Sequence, residues 1–187
     1  MEAFEHIVKV FLEYQGYAVA TNVKFPVRRK TKKAAYDEYQ THGYEVDVVG
    51  AKSSSLLLGS VKSFLGSKGV SRQGFIEVAD ASRKTHFGQY NIFNEADIQN
   101  GIVKEAAKKY GYPLDQIELC LFVGRFNFED REIITNCLKG KGVRVYDLDT
   151  IMEGLLKAAE PNTYMDDPVV VTVKALQLAG RLRSNLR

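Results

Sequence analysis

Residues 44–62 read YEVDVVG, AKSSS and LLLGSVK, two apolar runs around a polar, Ser-rich connection. Val, Leu and Tyr dominate the runs and small or polar residues punctuate them. Both are therefore expected to be strands, joined as a hairpin. Side chains alternate faces along a strand, which groups Glu45 with Asp47 and Ser60 with Lys62. Hairpin pairing then brings Asp47 beside Ser60 and Lys62. An acid and a lysine on one face of a sheet suit a divalent metal with a positioned water or phosphate. They equally suit a bare surface, where such an ion pair contributes about 0–1 kcal/mol and serves no ligand.

This arrangement resembles the PD-(D/E)XK nuclease superfamily, in which an Asp opens one strand and acid-x-Lys follows on the next. Asp47 matches the first position and Lys62 the last, while Ser60 stands where Asp or Glu is usual. Some type II restriction enzymes of that superfamily carry Ser-Val-Lys here and take the missing acid from the following helix, about fourteen residues on. In this chain Ser60, Val61 and Lys62 form the triplet, and Glu77 follows. The resemblance spans roughly the first eighty residues. It implies a restriction endonuclease-like α/β/α core, a central mixed sheet flanked by helices, and a metal-dependent endonuclease acting on DNA. Asp47 and Glu77 would hold Mg²⁺ or Mn²⁺, with Glu45 as substitute. Ser60 would contact a ligand or a metal-bound water, and Lys62 would orient water or stabilise charge. Glu5 would be the acid that the helix before the Asp strand presents to the site. A homodimer is compatible with this family.

The whole chain sets wider bounds. Its 187 residues suit one domain with a substantial core. A hydrophobic content of 45% and a charged content of 26% are ordinary for a soluble globular protein. The net charge of +3 is too small to argue nucleic-acid binding, so the placement of charge must carry that case. Cys120 and Cys137 lie in apolar segments and read as buried free thiols of a reducing compartment. His6, His42 and His86 show no ligand spacing, which argues against zinc. No stretch approaches the roughly twenty apolar residues of a membrane span. The N-terminus carries acids rather than a basic run before an apolar core, so no signal peptide is expected and the reading is cytoplasmic.

Along the chain, residues 2–15 carry Phe4, Ile7, Val8, Phe11 and Leu12 at helical spacing, and Gly16 stops the helix. Glu5 borders that stripe, as an ordinary solvated acid also would. Residues 17–27 read as a strand. Arg28, Arg29, Lys30, Lys32 and Lys33 follow, expected on a loop as a handle for a phosphate backbone or as a solvated connection. Residues 34–42 are polar and read as loop or short helix. After Lys62, Gly66, Gly69 and Gly74 with Lys68 and Arg72 suit a loop whose backbone can approach phosphate. A helix over residues 71–82 would carry Glu77. Residues 83–94 mix basic, aromatic and amide side chains, suited either to stacking or to inward packing. Then come a helix over 95–110, a strand over 117–123, a helix over 129–138, a strand over 142–147 and helices over 149–159 and 168–182. Late alternation of strands and helices predicts a sheet covered on both faces.

Three functions fit these residues. The first is the endonuclease just described. The second is a nucleic-acid-binding module with a nuclease-like fold and no cleavage, which Ser60 favours. The third is an interaction protein using exposed Tyr and Phe.

Overall fold

The computed structural model describes residues 2–30, 39–76, 88–160, 164 and 166–180. The elements are α1 (Ala3–Tyr14), β1 (Ala18–Lys30), β2 (Tyr39–Lys52), β3 (Ser55–Lys62), a 3₁₀ turn (Arg72–Gly74), α2 (Asn91–Asn94), α3 (Ala96–Tyr110), a second 3₁₀ turn (Leu114–Gln116), β4 (Ile117–Val123), α4 (Asp130–Gly140), β5 (Val143–Asp147), α5 (Leu148–Ala158) and α6 (Pro168–Leu178). The strands form one mixed sheet in the order β1-β2-β3-β4-β5. β1, β2 and β3 are antiparallel neighbours, while β3, β4 and β5 are parallel.

Helices cover both faces, giving the expected α/β/α layering. On one face Leu56, Leu58, Leu119 and Leu121 pack against Ile98, Ile102 and Ala106 of α3 and Ile134 and Leu138 of α4. On the other, Leu57, Val61, Cys120 and Phe122 meet Phe4, Val8 and Phe11 of α1, Ile151 and Leu155 of α5, and Val170 and Val173 of α6. β3 and β4 are buried on both sides, which is why they read as unbroken apolar runs. Each fully buried Leu or Phe stabilises the fold by about 1.5–3 kcal/mol. The tight turn Ser53–Ser54 follows the Lys52↔Ser55 pair, so the Ser-rich connection is short. Cys120 and Cys137 are free, the first buried and the second half-buried.

The β1–β2 ribbon changes sides part-way. Val19 packs with the α1 layer, but Val23, Phe25 and Val27 pack with the α3 layer. On β2, Val48 belongs to the first and Val46 to the second. A regular strand would keep residues two apart on one face. The switch falls at Asn22, whose φ is +55°. The ladder skips it: Thr21 pairs with Val48 and Val23 with Val46, leaving Asn22 and Asp47 out. β2 also stops pairing with β3 at Val48↔Gly59. Beyond that fork the ribbon lies on α3, where Gly101 lets Val27 approach closely.

Three expectations need correction. Arg28, Arg29 and Lys30 are not on a loop; they end β1, paired with Thr41, Gln40 and Tyr39. β2 begins at Tyr39, so the end of the expected loop or short helix is strand. The expected helix over 71–82 is, within the described residues, one 3₁₀ turn capped by Ser71, whose hydroxyl accepts the Gln73 N–H. Phe75 is buried against Tyr90, and Ile76 is exposed. Glu77, Lys32, Lys33 and His86 lie outside the described residues.

Candidate functional site

The fork between β2 and β3 places Asp47. Its Oδ2 accepts two hydrogen bonds across the gap, from Ser60 Oγ at 3.0 Å and from the Val61 backbone N–H at 2.5 Å. No described residue donates to Oδ1. Asp47 therefore closes the end of the β2–β3 ladder with one oxygen and presents the other. Ser60 and Lys62 follow the alternation that puts Leu56 and Leu58 in the α3 layer. Lys62 Nζ lies 5.8 Å from the centroid of the Tyr90 ring. Tyr90 is buried over Gly74, and burial pushes its phenol up to about 12. The aromatic face thus supports the Lys62 cation without offering a competing anion at neutral pH.

The site lies at the carboxyl ends of the parallel strands, where α/β sheets hold ligands. Lys62 ends β3 beside Val123 of β4, and Gly124 N–H donates to the Lys62 carbonyl at 2.9 Å. Two loops continue from there. They zip together through the Val70↔Phe126 bridge, with Val70 N–H donating to Arg125 O and Asn127 N–H to Val70 O, both at 2.8 Å. Gly69, at φ +93°, lies against the Phe126 backbone, where a side chain would clash. Buried Asp130 clamps the pair of loops. It accepts from Arg72 N–H and Asn127 Nδ2, each at 3.1 Å, and pairs with the Arg72 guanidinium at 3.5 Å. Burial raises its pKa, but these bonds and the Arg72 charge outweigh that, and it titrates below the ordinary carboxylate value.

The remaining expected site residues are dispersed. Glu45 is not turned to Asp47. Its carboxylate pairs with Lys24 at 3.6 Å and accepts from Asn22 Nδ2 at 3.3 Å, because the alternation that would align the two acids breaks at the fork. Glu5 accepts the Glu2 backbone N–H at 3.0 Å, closing the capping box of α1, on the layer opposite Lys62. Arg29 is not a free cation for phosphate: it is ion-paired with Glu95 and donates to Tyr44 Oη at 3.1 Å. Arg28 is exposed and stacks over the Tyr39 ring at 4.9 Å. Lys30 and Lys68 are exposed, and Arg72 serves the Asp130 clamp. Among the described residues no three His, Cys, Asp or Glu side chains converge as a metal cluster. Of the expected ligands, the structure brings Asp47 and Ser60 together, while Glu77 lies outside the described residues.

No family model and no curated protein matches the chain. A solved structure described as a protein of unknown function, AF1548, is similar over 95% of this chain and 77% of its own, at 16% identity and a TM-score of 0.44. No helix among the described residues is long and apolar enough to cross a membrane.

Tyr90 belongs to the 83–94 stretch read as suited either to stacking or to inward packing, and it packs inward; Arg125 and the Asp130 clamp were not singled out in the sequence. Asp130 and Asn127 stand in an ordinary loop-to-helix stretch, and only the fold shows that they hold Arg72, 58 positions away. The Arg29–Glu95 pair spans 66 positions and leaves no local signal.

Proposed function

We propose that this chain is a metal-dependent endonuclease hydrolysing DNA phosphodiester bonds, of restriction or repair type. The supporting observation is the constellation at the β2–β3 fork: Asp47 bonded to Ser60, with Lys62 two residues on, at the carboxyl end of a parallel strand. In this reading Asp47 and Glu77 hold Mg²⁺ or Mn²⁺. The ion would lower the pKa of a bound water and polarise the phosphate. Lys62 contributes a cation that favours the negative charge gathering on the attacked phosphate. Ser60 orients the Asp47 carboxylate by bonding one of its oxygens, which leaves the other for the ion. Arg28, Lys30, Lys32, Lys33 and Lys68 attract the backbone.

A second reading is a DNA-binding module of the same fold without cleavage. One observation favours it: among the described residues no group of three His, Cys, Asp or Glu side chains gathers to hold an ion. Incubation with plasmid and oligonucleotide DNA in Mg²⁺, Mn²⁺ or EDTA separates the two. The endonuclease reading expects metal-dependent cleavage that Asp47→Ala abolishes. DNA binding without cleavage in any metal would leave the second reading standing.

A further inference from the structure

The zipped loops after β3 and β4 carry two large apolar side chains that the fold leaves wholly or half in solvent. Phe128 is 87% exposed and Leu65 is 49% exposed. Both lie on turns of unusual backbone. Phe64 has φ +41° and Glu129 has φ +71°, conformations that ordinary side chains rarely adopt. A strained backbone persists where its surroundings over-determine it, and such strain gathers at functional sites. Here the surroundings are the Val70↔Phe126 bridge, the Gly69 contact and the Asp130 clamp. A hydrogen-bonded support carries these two side chains, with Phe128 almost wholly in solvent and Leu65 half-exposed beside Gly124.

What lies around them points to an occupant. Lys68 and Arg125 are exposed on the same two loops, and Arg72 is fixed beside them by Asp130. Glu129 and, one helical turn on, Glu132 are exposed acids next to Phe128, with the exposed Arg131 between them. The support is also continuous with the candidate site, since Gly124 N–H is bonded to the Lys62 carbonyl. Apolar side chains set among cations, beside a phosphate-directed lysine, match the wedge-and-grip pattern of proteins that unstack a base step.

We infer that Phe128, assisted by Leu65, is a wedge that inserts between base pairs of duplex DNA while Lys68 and Arg125 contact the flanking phosphates. This rests on the DNA reading of the fork and specifies its substrate: a duplex opened or bent at the cleaved step. Unstacking costs least where pairing is already faulty, so the wedge favours a duplex with a mismatch over a matched one.

The chain has no tryptophan, which supplies a direct probe. Phe128→Trp places a single indole on the wedge. Leu114→Trp places one on an exposed turn before β4, at the opposite end of that strand, and serves as the control. Binding of matched and singly mismatched duplexes is followed by DNA anisotropy in EDTA, and indole emission is read in the same titration. Expected are quenching in the Phe128→Trp variant but not in the Leu114→Trp variant, and a preference for the mismatched duplex. Phe128→Ala should bind roughly tenfold more weakly and lose that preference. DNA bound by the wild type, with emission of the Phe128→Trp variant unchanged on DNA, would overturn the wedge, leave the DNA reading intact and return this face to a protein partner. Absence of DNA binding by the wild type would overturn the DNA reading itself.

Discussion

Asp47 has two roles that can be separated by chemistry. As an acceptor for Val61 N–H and Ser60 Oγ it terminates the β2–β3 ladder. As an anion it is the ligand of the proposed function. Asp47→Asn keeps an acceptor and removes the charge, so it should abolish cleavage and change the urea midpoint little. Asp47→Ala removes both, and should also destabilise by about 1–3 kcal/mol through the orphaned N–H. Equal cleavage by wild type and Asp47→Asn in Mg²⁺ would sink the proposed site. The basic run divides in the same way. Arg28 faces solvent over Tyr39, whereas Arg29 is half-buried between Glu95 and Tyr44. Arg28→Ala should lower the salt slope of DNA binding by about 0.9, since one phosphate contact is lost. Arg29→Ala should leave the slope unchanged and cost stability instead, because Glu95 is left unpaired. Five cations in six residues advertise a handle, but the sequence does not tell which of them the fold has already engaged.

At the scale of elements, hydrophobic pattern was a good guide wherever an element keeps each face to one layer throughout. The α1 stripe, the apolar run of β4 and the inner face of α3 were legible because burial is uniform along each. It was a poor guide where an element changes layer. The side switch of the β1–β2 ribbon depends on Asn22 adopting a positive φ, which Asn tolerates and which no local pattern reveals. That switch also displaced Glu45 from the site where strict alternation had put it. Asn22→Val should therefore be costly, because a β-branched residue resists that backbone, while Asn22→Gly should be nearly neutral. Urea midpoints of the two variants check this, and equal midpoints would mean that the backbone at residue 22 is not strained. The loops behind the site make a pH prediction. Asp130 titrates below its ordinary value in the fold. A carboxylate with a depressed folded pKa contributes stability above its unfolded value, near 4, and loses it as pH falls through the folded value. The wild type should thus lose stability below about pH 4 by more than Asp130→Asn does. Parallel pH profiles of the two would show that the clamp does not act through charge.

At the scale of the molecule, the α/β/α layers put the fork, the carboxyl ends of three parallel strands and the strained loops at one end of the sheet. Whether that end holds an ion decides between the two functional readings, and stability can report it without any substrate. A ligand that binds only the folded state stabilises it by RT ln(1 + [L]/Kd), about 1.4 kcal/mol at ten times Kd. For a chain of this size that raises Tm by roughly 3–6 °C. The wild type should show such a rise with Mn²⁺ or Mg²⁺, and Asp47→Asn should not. Ser60→Glu and Glu77→Ala then locate the second acid. If Glu77 supplies it, Glu77→Ala loses the metal-dependent rise. Ser60→Glu gains little in that case, because a further carboxylate beside Asp47 adds repulsion as well as a ligand. If the second acid has been lost outright, the wild type shows no rise and Ser60→Glu creates one. An intact Asp47 and Lys62 at the fork favour the first outcome. A Glu77→Ala variant that keeps both the full metal-dependent rise and full cleavage would rule out Glu77 as the second ligand.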